Sequence, residues 1–263
     1  MPGFGYGTAP LHVDDAPETV AIAIEAGYRL IDTAASYDNE TGVGRGIAAS
    51  SADRGELFIT TKLRGDDHGA EEARRGLHRS LERLGLEYVD LYLIHWPLPR
   101  IDRYVESWET MTAMRDEGLI RSIGVSNFLP DHINRLQRET GVLPAVNQIE
   151  MHPEWTQVDQ RAYDSGHGIV TESWSPLRRG GGVLGNPVVA GIASAHDVTP
   201  GQVVLRWHVQ SGVVPIPYSS NPERIASNLD VFSFELSTEE MDAMVTLDTA
   251  DRFGGDPRTH EEF

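Results

Sequence analysis

The sequence alternates short β-rich runs with helical patterns along its whole length, and this alternation restricts the folds that the chain can adopt. Each helical pattern is bounded by recognisable signals, often an Asp, Ser or Thr cap at its start and a Gly at its end. A strand followed by a helix, repeated, is typical of a parallel sheet. Strands are predicted at residues 3–7, 28–32, 57–62, 89–95, 120–125, 145–149, 169–174 and 213–217, and helices at 16–25, 70–84, 104–116, 199–210 and 237–247. Eight such strands predict an α/β fold of the (β/α)8 TIM barrel type.

No linker interrupts this pattern, so one domain over residues 1–263 is expected, with 251–263 as an irregular C-terminal tail. A flat doubly wound sheet is the competing architecture. No G-x-G-x-x-G follows the first predicted strand, which argues against it. The triplet Gly180-Gly181-Gly182 is predicted to be a loop after the seventh strand, either a flap over a ligand or a plain solvent loop.

Composition excludes several function classes. The formal net charge of -18 argues against nucleic-acid binding and against anionic membrane surfaces, because phosphates would be repelled. The absence of cysteine excludes disulfides, thiol nucleophiles and thiolate metal sites. No stretch of 18 uncharged apolar residues and no signal-peptide pattern occurs, so a cytoplasmic protein without a membrane partner is expected.

The chain has 21 arginines and a single lysine, Lys62, at the end of the third predicted strand. An arginine stays protonated, whereas the pKa of a lysine can be tuned by its surroundings, so position 62 is predicted to need an ammonium group. Other strand ends supply Asp32, Tyr37 and His95. Each alone has a structural reading: a helix cap, a core tyrosine, a buried histidine. In a barrel, however, the carboxyl ends of the strands share one face, where these side chains would meet.

At that face Lys62, paired with Asp32, is predicted to lower the pKa of the Tyr37 phenol from about 10, which would make the phenol a general acid. A second hypothesis is a lyase that forms a Schiff base on Lys62, although Asp32 would keep the amine protonated. Metal-dependent hydrolysis through His95, Glu150 and His152 is weaker, and no metal is expected. A third hypothesis is a cofactor-binding sensor or partner subunit with little catalysis.

Over nearly its whole length the chain resembles the aldo-keto reductase family, in particular its bacterial branch of 2,5-diketo-gluconate reductases. The resemblance is carried by six motifs in order: GYRLIDTA at 27–34, YDNE at 37–40, LFITTK at 57–62, DLYLIHWP at 90–97, IGVSNF at 123–128 and NQIE at 147–150. It implies a (β/α)8 barrel that transfers hydride from a reduced nicotinamide to an aldehyde or ketone. Tyr37 would protonate the forming alkoxide, Lys62 and Asp32 would tune it, and His95 would orient the carbonyl.

The same resemblance implies the cofactor contacts. Two side chains after the fifth strand and one on the sixth would hold the nicotinamide carboxamide, and Trp174 would stack on the ring, although core packing is its simpler reading. The full set of implied contacts is Ser126, Asn127, Gln148, Trp174, Ser175, Leu177, Arg178, Ser219, Ser220, Arg224 and Asn228.

Three departures from the family pattern stand out. Tyr218 replaces the lysine that usually helps to hold the 2′-phosphate of NADPH, although Ser219 and Arg224 remain. A charge-assisted contact contributes about 1.5 to 3 kcal/mol, so we expect NADPH as cofactor with a preference over NADH weakened by roughly tenfold or more. Arg178 and Arg179 follow the seventh strand, and contact with the pyrophosphate and simple solvation are both open for them. The chain is also expected to lack the β-hairpin that usually closes the barrel floor in the family.

The leading hypothesis is therefore an NADPH-dependent reductase of small aldehydes, dicarbonyls or keto sugars. Its substrate pocket is predicted to contain Trp96, Ala9 and Ser36 beside Tyr37 and the C-terminal tail. An aromatic wall with few charges suits neutral carbonyl compounds. Since relatives are often monomeric, a monomer is expected.

Overall fold

The computed structural model describes residues 1–262, and within them eight parallel strands form one sheet in sequential order. The strands are β1 Gly5–Gly7, β2 Leu30–Asp32, β3 Phe58–Leu63, β4 Val89–Ile94, β5 Ile120–Ser126, β6 Val146–Glu150, β7 Val170–Trp174 and β8 Val214–Pro215. The helices of the same residues are α1 Ala16–Glu25, α2 Glu40–Ala49, α3 Ala70–Leu84, α4 Tyr104–Asp116, α5 Pro130–Thr140, α6 Val158–Gly166, α7 Pro187–His196, α8 Pro200–Gln210, α9 Pro222–Leu229 and α10 Thr238–Val245. The predicted (β/α)8 barrel is confirmed.

The sheet curls until its first strand meets the chain after its last. The backbone N–H of Gly7 donates to the carbonyl of Pro217 at 3.1 Å, which brings the two edges together. A Cβ on Gly5 would lie 2.3 Å from Cδ2 of Leu30, and one on Gly7 would lie 2.8 Å from the carbonyl oxygen of Ile216. At Gly7 the clash would be with backbone, so glycine is required there, whereas at Gly5 a larger residue would force Leu30 to shift.

Alternate residues of each strand face opposite sides, as the β period of two dictates. Ile31, Ile59 and Tyr92 belong to the large core between the strands and the surrounding helices. The intervening positions face the barrel interior, where Leu30 packs with Val214. A further interior group is formed by Leu91, Leu93 and Val146. The sheet is thus buried on both faces.

Along the strands, the side chains that face the barrel interior change from apolar to polar. Phe58 begins β3 and packs against both interior apolar groups, so it closes the floor. Thr60 and Lys62 follow on the same face, and Asp32 follows Leu30 on β2. The barrel is therefore apolar at the amino ends of its strands and polar at the carboxyl ends, which places the chemistry on one rim.

The elements outside the barrel also match the sequence patterns. The predicted helix at 237–247 is α10, and residues 251–262 of the predicted tail form neither helix nor strand; Phe263 lies outside the described residues. Of the glycine triplet, Gly180 ends the 3-10 turn Arg178–Gly180, Gly182 begins the 3-10 turn Gly182–Gly185, and Gly181 joins the two. Residues 1–4 form no strand or helix in the structure, and β1 follows directly.

We expect Phe58→Ala to lower the free energy of unfolding by about 2 kcal/mol, since it removes a half-buried ring from the barrel floor. Urea unfolding followed by circular dichroism measures the change. Phe232, which is 56% exposed, offers a control whose truncation should change stability by less than about 0.5 kcal/mol. Equal effects of the two substitutions would contradict a floor-closing role for Phe58.

Candidate active site

Four strand-end side chains meet at the polar rim of the barrel. Lys62 Nζ donates to Asp32 Oδ1 at 2.6 Å and to the Tyr37 hydroxyl at 3.2 Å. The ring centroids of Tyr37 and His95 are 5.7 Å apart. The four predicted side chains, which come from the ends of β2, β3 and β4 and from the turn after β2, are therefore in mutual contact or next to one another.

Lys62 is fully buried, and its ammonium group has three acceptors. Besides Asp32 and Tyr37, the carbonyl oxygen of Thr33 accepts from it at 2.8 Å. Burial alone would lower the pKa of Lys62, but the attraction of Asp32 and of Tyr37 outweighs it and raises the pKa above its ordinary value. The amine is thus held as an ammonium ion. This disfavours the Schiff-base hypothesis, which needs the free amine.

The predicted lowering of the Tyr37 pKa is wrong for this structure. Burial raises the pKa of the phenol, and the charges of Asp32 and Glu262 add to the rise, while Lys62 opposes it without cancelling it. The sequence could not show how deeply the hydroxyl would lie. A raised pKa keeps the proton on Tyr37 at neutral pH, which a general acid requires.

His95 follows β4 and faces two oxygen groups. Its Nδ1 lies 3.1 Å from Ser36 Oγ and 2.5 Å from a carboxylate oxygen of Glu262 in the C-terminal tail. The second oxygen of Glu262 accepts the backbone N–H of Gly65 at 3.1 Å. Burial would raise the pKa of Glu262, but the bonds from His95 and its other donors outweigh it and lower the pKa. A carboxylate from the C-terminal tail of the same chain is therefore in contact with His95.

Of the predicted pocket residues, two lie at this position. Ser36 contacts His95, and Trp96 is buried with its ring 3.9 Å from that of His260 between centroids. Ala9 is exposed in the loop after β1.

The residues predicted to hold the carboxamide form one hydrogen-bonded group. Asn127 Nδ2 donates to the carbonyl of His95 at 3.1 Å and to Ser126 Oγ at 3.0 Å, and its Oδ1 accepts Trp174 Nε1 at 2.8 Å. Asn127 adopts a left-handed backbone conformation, with φ of 62°. Such strain persists where the surroundings fix it, often at functional sites. Gln148 adds an amide from β6, donating to Asp32 Oδ2 at 2.8 Å.

The segment after β8 brings the predicted phosphate contacts together. Arg224 Nε donates to Ser219 Oγ at 3.3 Å at the start of α9, and the Tyr6 hydroxyl donates to the carbonyl of Ser219 at 2.7 Å. Ser220 is exposed, Asn228 is buried, and Tyr218 packs near Tyr6. Ser219 and Arg224 thus form a pair of donors that an anion can share.

The loop after β7 is tied to the tail. Arg178 forms ion pairs with Glu154 and with Asp251 of the tail. Arg179 lies over the ring of Phe253, with 4.7 Å from its guanidinium carbon to the ring centroid. Ser175 and Leu177 precede them, and the carbonyl of Ser175 accepts the N–H of Arg178 at 2.8 Å. Both arginines contact the tail here, and a pyrophosphate contact remains a prediction.

The sequence placed the tail beside the substrate pocket, but its individual contacts could not be predicted because the tail carries no periodic pattern. Glu150, at the end of β6, accepts the backbone N–H groups of Phe253 at 2.6 Å and Gly254 at 2.7 Å. A Cβ on Gly254 would lie 2.4 Å from the Trp174 ring, so only glycine fits there. The tail thus crosses the rim from Trp174 to His95. The buried acid Glu172 of β7 was also missed, and its contact with Gln148 is 2.7 Å.

The arrangement fits a nicotinamide cofactor. A cavity of about 280 Å³ adjoins this group: Asn127 and Trp174 line it together with tail residues such as Arg252, whereas Tyr37 and Lys62 do not. Gln148 Oε1 has no hydrogen-bond partner in the part of the chain that the structure describes, so it is available as an acceptor. Over residues 1–262 no group of three His, Asp or Glu side chains could hold a metal ion. Nor is any helix there long and apolar enough to cross a membrane.

Comparison with known proteins agrees with this geometry. The Aldo/keto reductase family model matches residues 3–249. The chain is 48% identical to 2,5-diketo-D-gluconic acid reductase B of a Corynebacterium species, over 98% of this chain and 93% of that protein. It is 48% identical, with the same coverage, to methylglyoxal reductase DkgA of Escherichia coli. A solved structure of a Gox0644 mutant in complex with NADPH matches with a TM-score of 0.95 and 44% identity, over 99% of this chain and 95% of that one. The chain therefore belongs to the aldo/keto reductase family.

Proposed function

We propose that the protein reduces aldehyde, ketone or dicarbonyl groups of small molecules to alcohols, with NADPH as the reductant. The observation that carries the proposal is the contact of the buried Lys62 ammonium with both Asp32 and the Tyr37 hydroxyl, beside His95. This arrangement holds a phenolic proton next to a fixed positive charge.

The chemistry divides among these side chains. Reduced nicotinamide supplies the hydride when it is bound. Tyr37 gives its proton to the oxygen of the carbonyl group as negative charge develops there, and the Lys62 ammonium stabilises the phenolate that remains. Asp32 holds Lys62 in place and charged. His95 orients the carbonyl oxygen toward Tyr37 through a ring nitrogen.

The amide group at the rim would hold the cofactor. Ser126, Asn127 and Gln148 supply donors and acceptors for the carboxamide, and Trp174 supplies an aromatic face for the ring. Ser219 and Arg224 would bind the 2′-phosphate that distinguishes NADPH from NADH. Because Tyr218 adds no charge there, we propose that NADH is also accepted, with lower affinity.

Small dicarbonyl compounds are the first substrates to test, since two relatives are named for methylglyoxal and for 2,5-diketo-D-gluconic acid. We further propose that the whole chain acts as one catalytic unit, as a monomer in the cytoplasm. These points rest on the sequence pattern and on the resemblance to the family.

The position of Glu262 means that a substrate must compete with the tail. Its carboxylate contacts His95 and the N–H of Gly65, where a carbonyl oxygen needs donors. We propose that the tail moves away from His95 when substrate binds.

Replacing Tyr37 with Phe should lower the rate of methylglyoxal-dependent NADPH oxidation by about a hundredfold to ten-thousandfold, because the proton donor is lost. Binding of NADPH, measured by quenching of tryptophan fluorescence, should be retained. Tyr88→Phe is a matched control, since Tyr88 lies between Arg54 and Arg121, away from the rim. Wild-type turnover in Tyr37→Phe would exclude the assigned acid. Binding of NADPH by the wild type without turnover of any carbonyl tested would favour the sensor hypothesis.

Replacing Arg224 with Ala should weaken NADPH binding by about tenfold, because a charge-assisted contact to the phosphate is lost. The affinity for NADH, which lacks that phosphate, should not change. Parallel fluorescence titrations with the two cofactors measure the effect, and Glu223→Ala controls for the neighbouring exposed position. An equal loss for both cofactors would show that Arg224 acts on the fold of the segment instead.

Replacing Glu262 with Ala should lower the KM for methylglyoxal by about tenfold with little change in kcat, because the competing contact to His95 is removed. Steady-state kinetics measures both constants. Glu261→Ala is the matched control, since Glu261 pairs with Arg100 outside the site. A higher KM in Glu262→Ala would mean that the carboxylate helps to bind the substrate.

A further inference from the structure

Glu172 is a fully buried acid in the barrel interior to which the chemistry above assigns no role. It lies on β7, paired in register with Gln148 of β6 on one side and with Val214 of β8 on the other. A buried carboxyl group is costly unless it is neutral, paired or hydrogen-bonded. Its surroundings therefore determine what it can do.

The first observation is a shared amide. Gln148 Nε2 donates to Asp32 Oδ2 at 2.8 Å and to Glu172 Oε2 at 2.7 Å. Because both neighbours present acceptors, the NH2 group of the amide must point toward them. This leaves Gln148 Oε1 on the other side, without a partner among residues 1–262. An N–H of the nicotinamide carboxamide needs such an acceptor.

The second observation is the charge balance. Lys62 and Asp32 neutralise each other, so an ionised Glu172 would add an unbalanced negative charge to the interior. Burial, helped by the charge of Asp32, raises the pKa of Glu172 to about 8. Asp32 from β2 and Lys62 from β3 are the charged groups that face it, and its partners on the flanking strands, Gln148 and Val214, do not titrate.

The third observation is an unused oxygen. Within the described residues Glu172 Oε1 and the hydroxyl of Thr60 have no hydrogen-bond partner. Thr60 pairs in register with Asp32, so it belongs to the same polar part of the interior. No protein donor therefore fixes the second oxygen of Glu172, which is free to hold a proton or to lose it.

We propose that Glu172 is a positioning residue that orients Gln148 toward the nicotinamide carboxamide and whose proton is coupled to the oxidation state of the bound nicotinamide. The nicotinamide ring is neutral in NADPH and positively charged in NADP+. A carboxylate one hydrogen bond behind Gln148 stabilises the charged ring, whereas the neutral acid does not. Ionised Glu172 thus favours NADP+, and protonated Glu172 favours NADPH. The inference rests on the proposed cofactor site.

The test is the affinity of the full-length protein for NADPH and for NADP+ at pH 6.5 and pH 9, by tryptophan quenching. The ratio of the two dissociation constants cancels the titration of the 2′-phosphate, which both cofactors carry. Between pH 6.5 and pH 9 we expect the affinity of the wild type for NADP+ to rise about tenfold relative to its affinity for NADPH. Glu172→Gln keeps an acceptor for Gln148 but cannot ionise, so its ratio should be independent of pH.

Two further variants separate the roles. Glu172→Leu removes the acceptor, and we expect weaker binding of both cofactors at both pH values. Asp164→Asn is the matched control, since Asp164 is a buried acid whose pKa burial raises to about 6, but it bonds to Asn147, Gln160 and Thr171 outside the interior. It should keep the wild-type dependence.

The outcomes are distinct. A wild-type pH dependence that persists in Glu172→Gln, or a wild-type ratio that does not change with pH, would overturn the coupling. Unchanged binding in Glu172→Leu would overturn the positioning of Gln148. A wild-type protein that binds neither cofactor would instead refute the proposed function, and this inference with it.

Discussion

The buried ion pair of Lys62 and Asp32 is the interaction on which the rest of the site depends. Two charges removed from water are tolerable only if their geometry is good and their remaining hydrogen-bonding groups are satisfied. The backbone of Thr33 and the phenol of Tyr37, both after β2, and the amide of Gln148 on β6 meet that requirement. Satisfying the pair thus brings the proton donor and a cofactor-binding amide to one place. The apolar side chains at the amino ends of the strands, Phe58 among them, supply the packing beneath the site.

Much of this arrangement could be predicted from the sequence because residues at the carboxyl ends of all barrel strands lie on the same rim. Asp32, Lys62 and His95 could be placed on one rim once the strands were recognised, and the motifs around them identified the family. Long regular helices such as α1 and α3 could be bounded from their periodicity and caps alone. Ser219 and Arg224 were paired only by the resemblance to the family, and the structure places them on either side of the start of α9.

The features that could not be predicted depend on how deeply a side chain is buried or on segments without regular secondary structure. The pKa of Tyr37 rises because the fold buries its hydroxyl, and no local pattern reports burial by distant segments. The contacts of Glu262 and Gly254 were hidden because a tail without periodicity gives no direction for its side chains. Glu172 lies two residues before Trp174 on the predicted seventh strand, yet only the closed barrel shows that it shares an amide with Asp32. The ion pairs of Arg178 could not be predicted because its carboxylate partners lie far away in sequence.

The scarcity of lysine has a practical consequence. The only side-chain amine of the sequence is that of Lys62, and it is inaccessible in the folded protein. Amine-directed acylating reagents and enzymes that modify lysine therefore find no side-chain amine on the folded surface. A reagent can reach Lys62 only when the rim opens transiently. The labelling rate of Lys62 would therefore report how often the rim opens, and a bound cofactor would lower that rate.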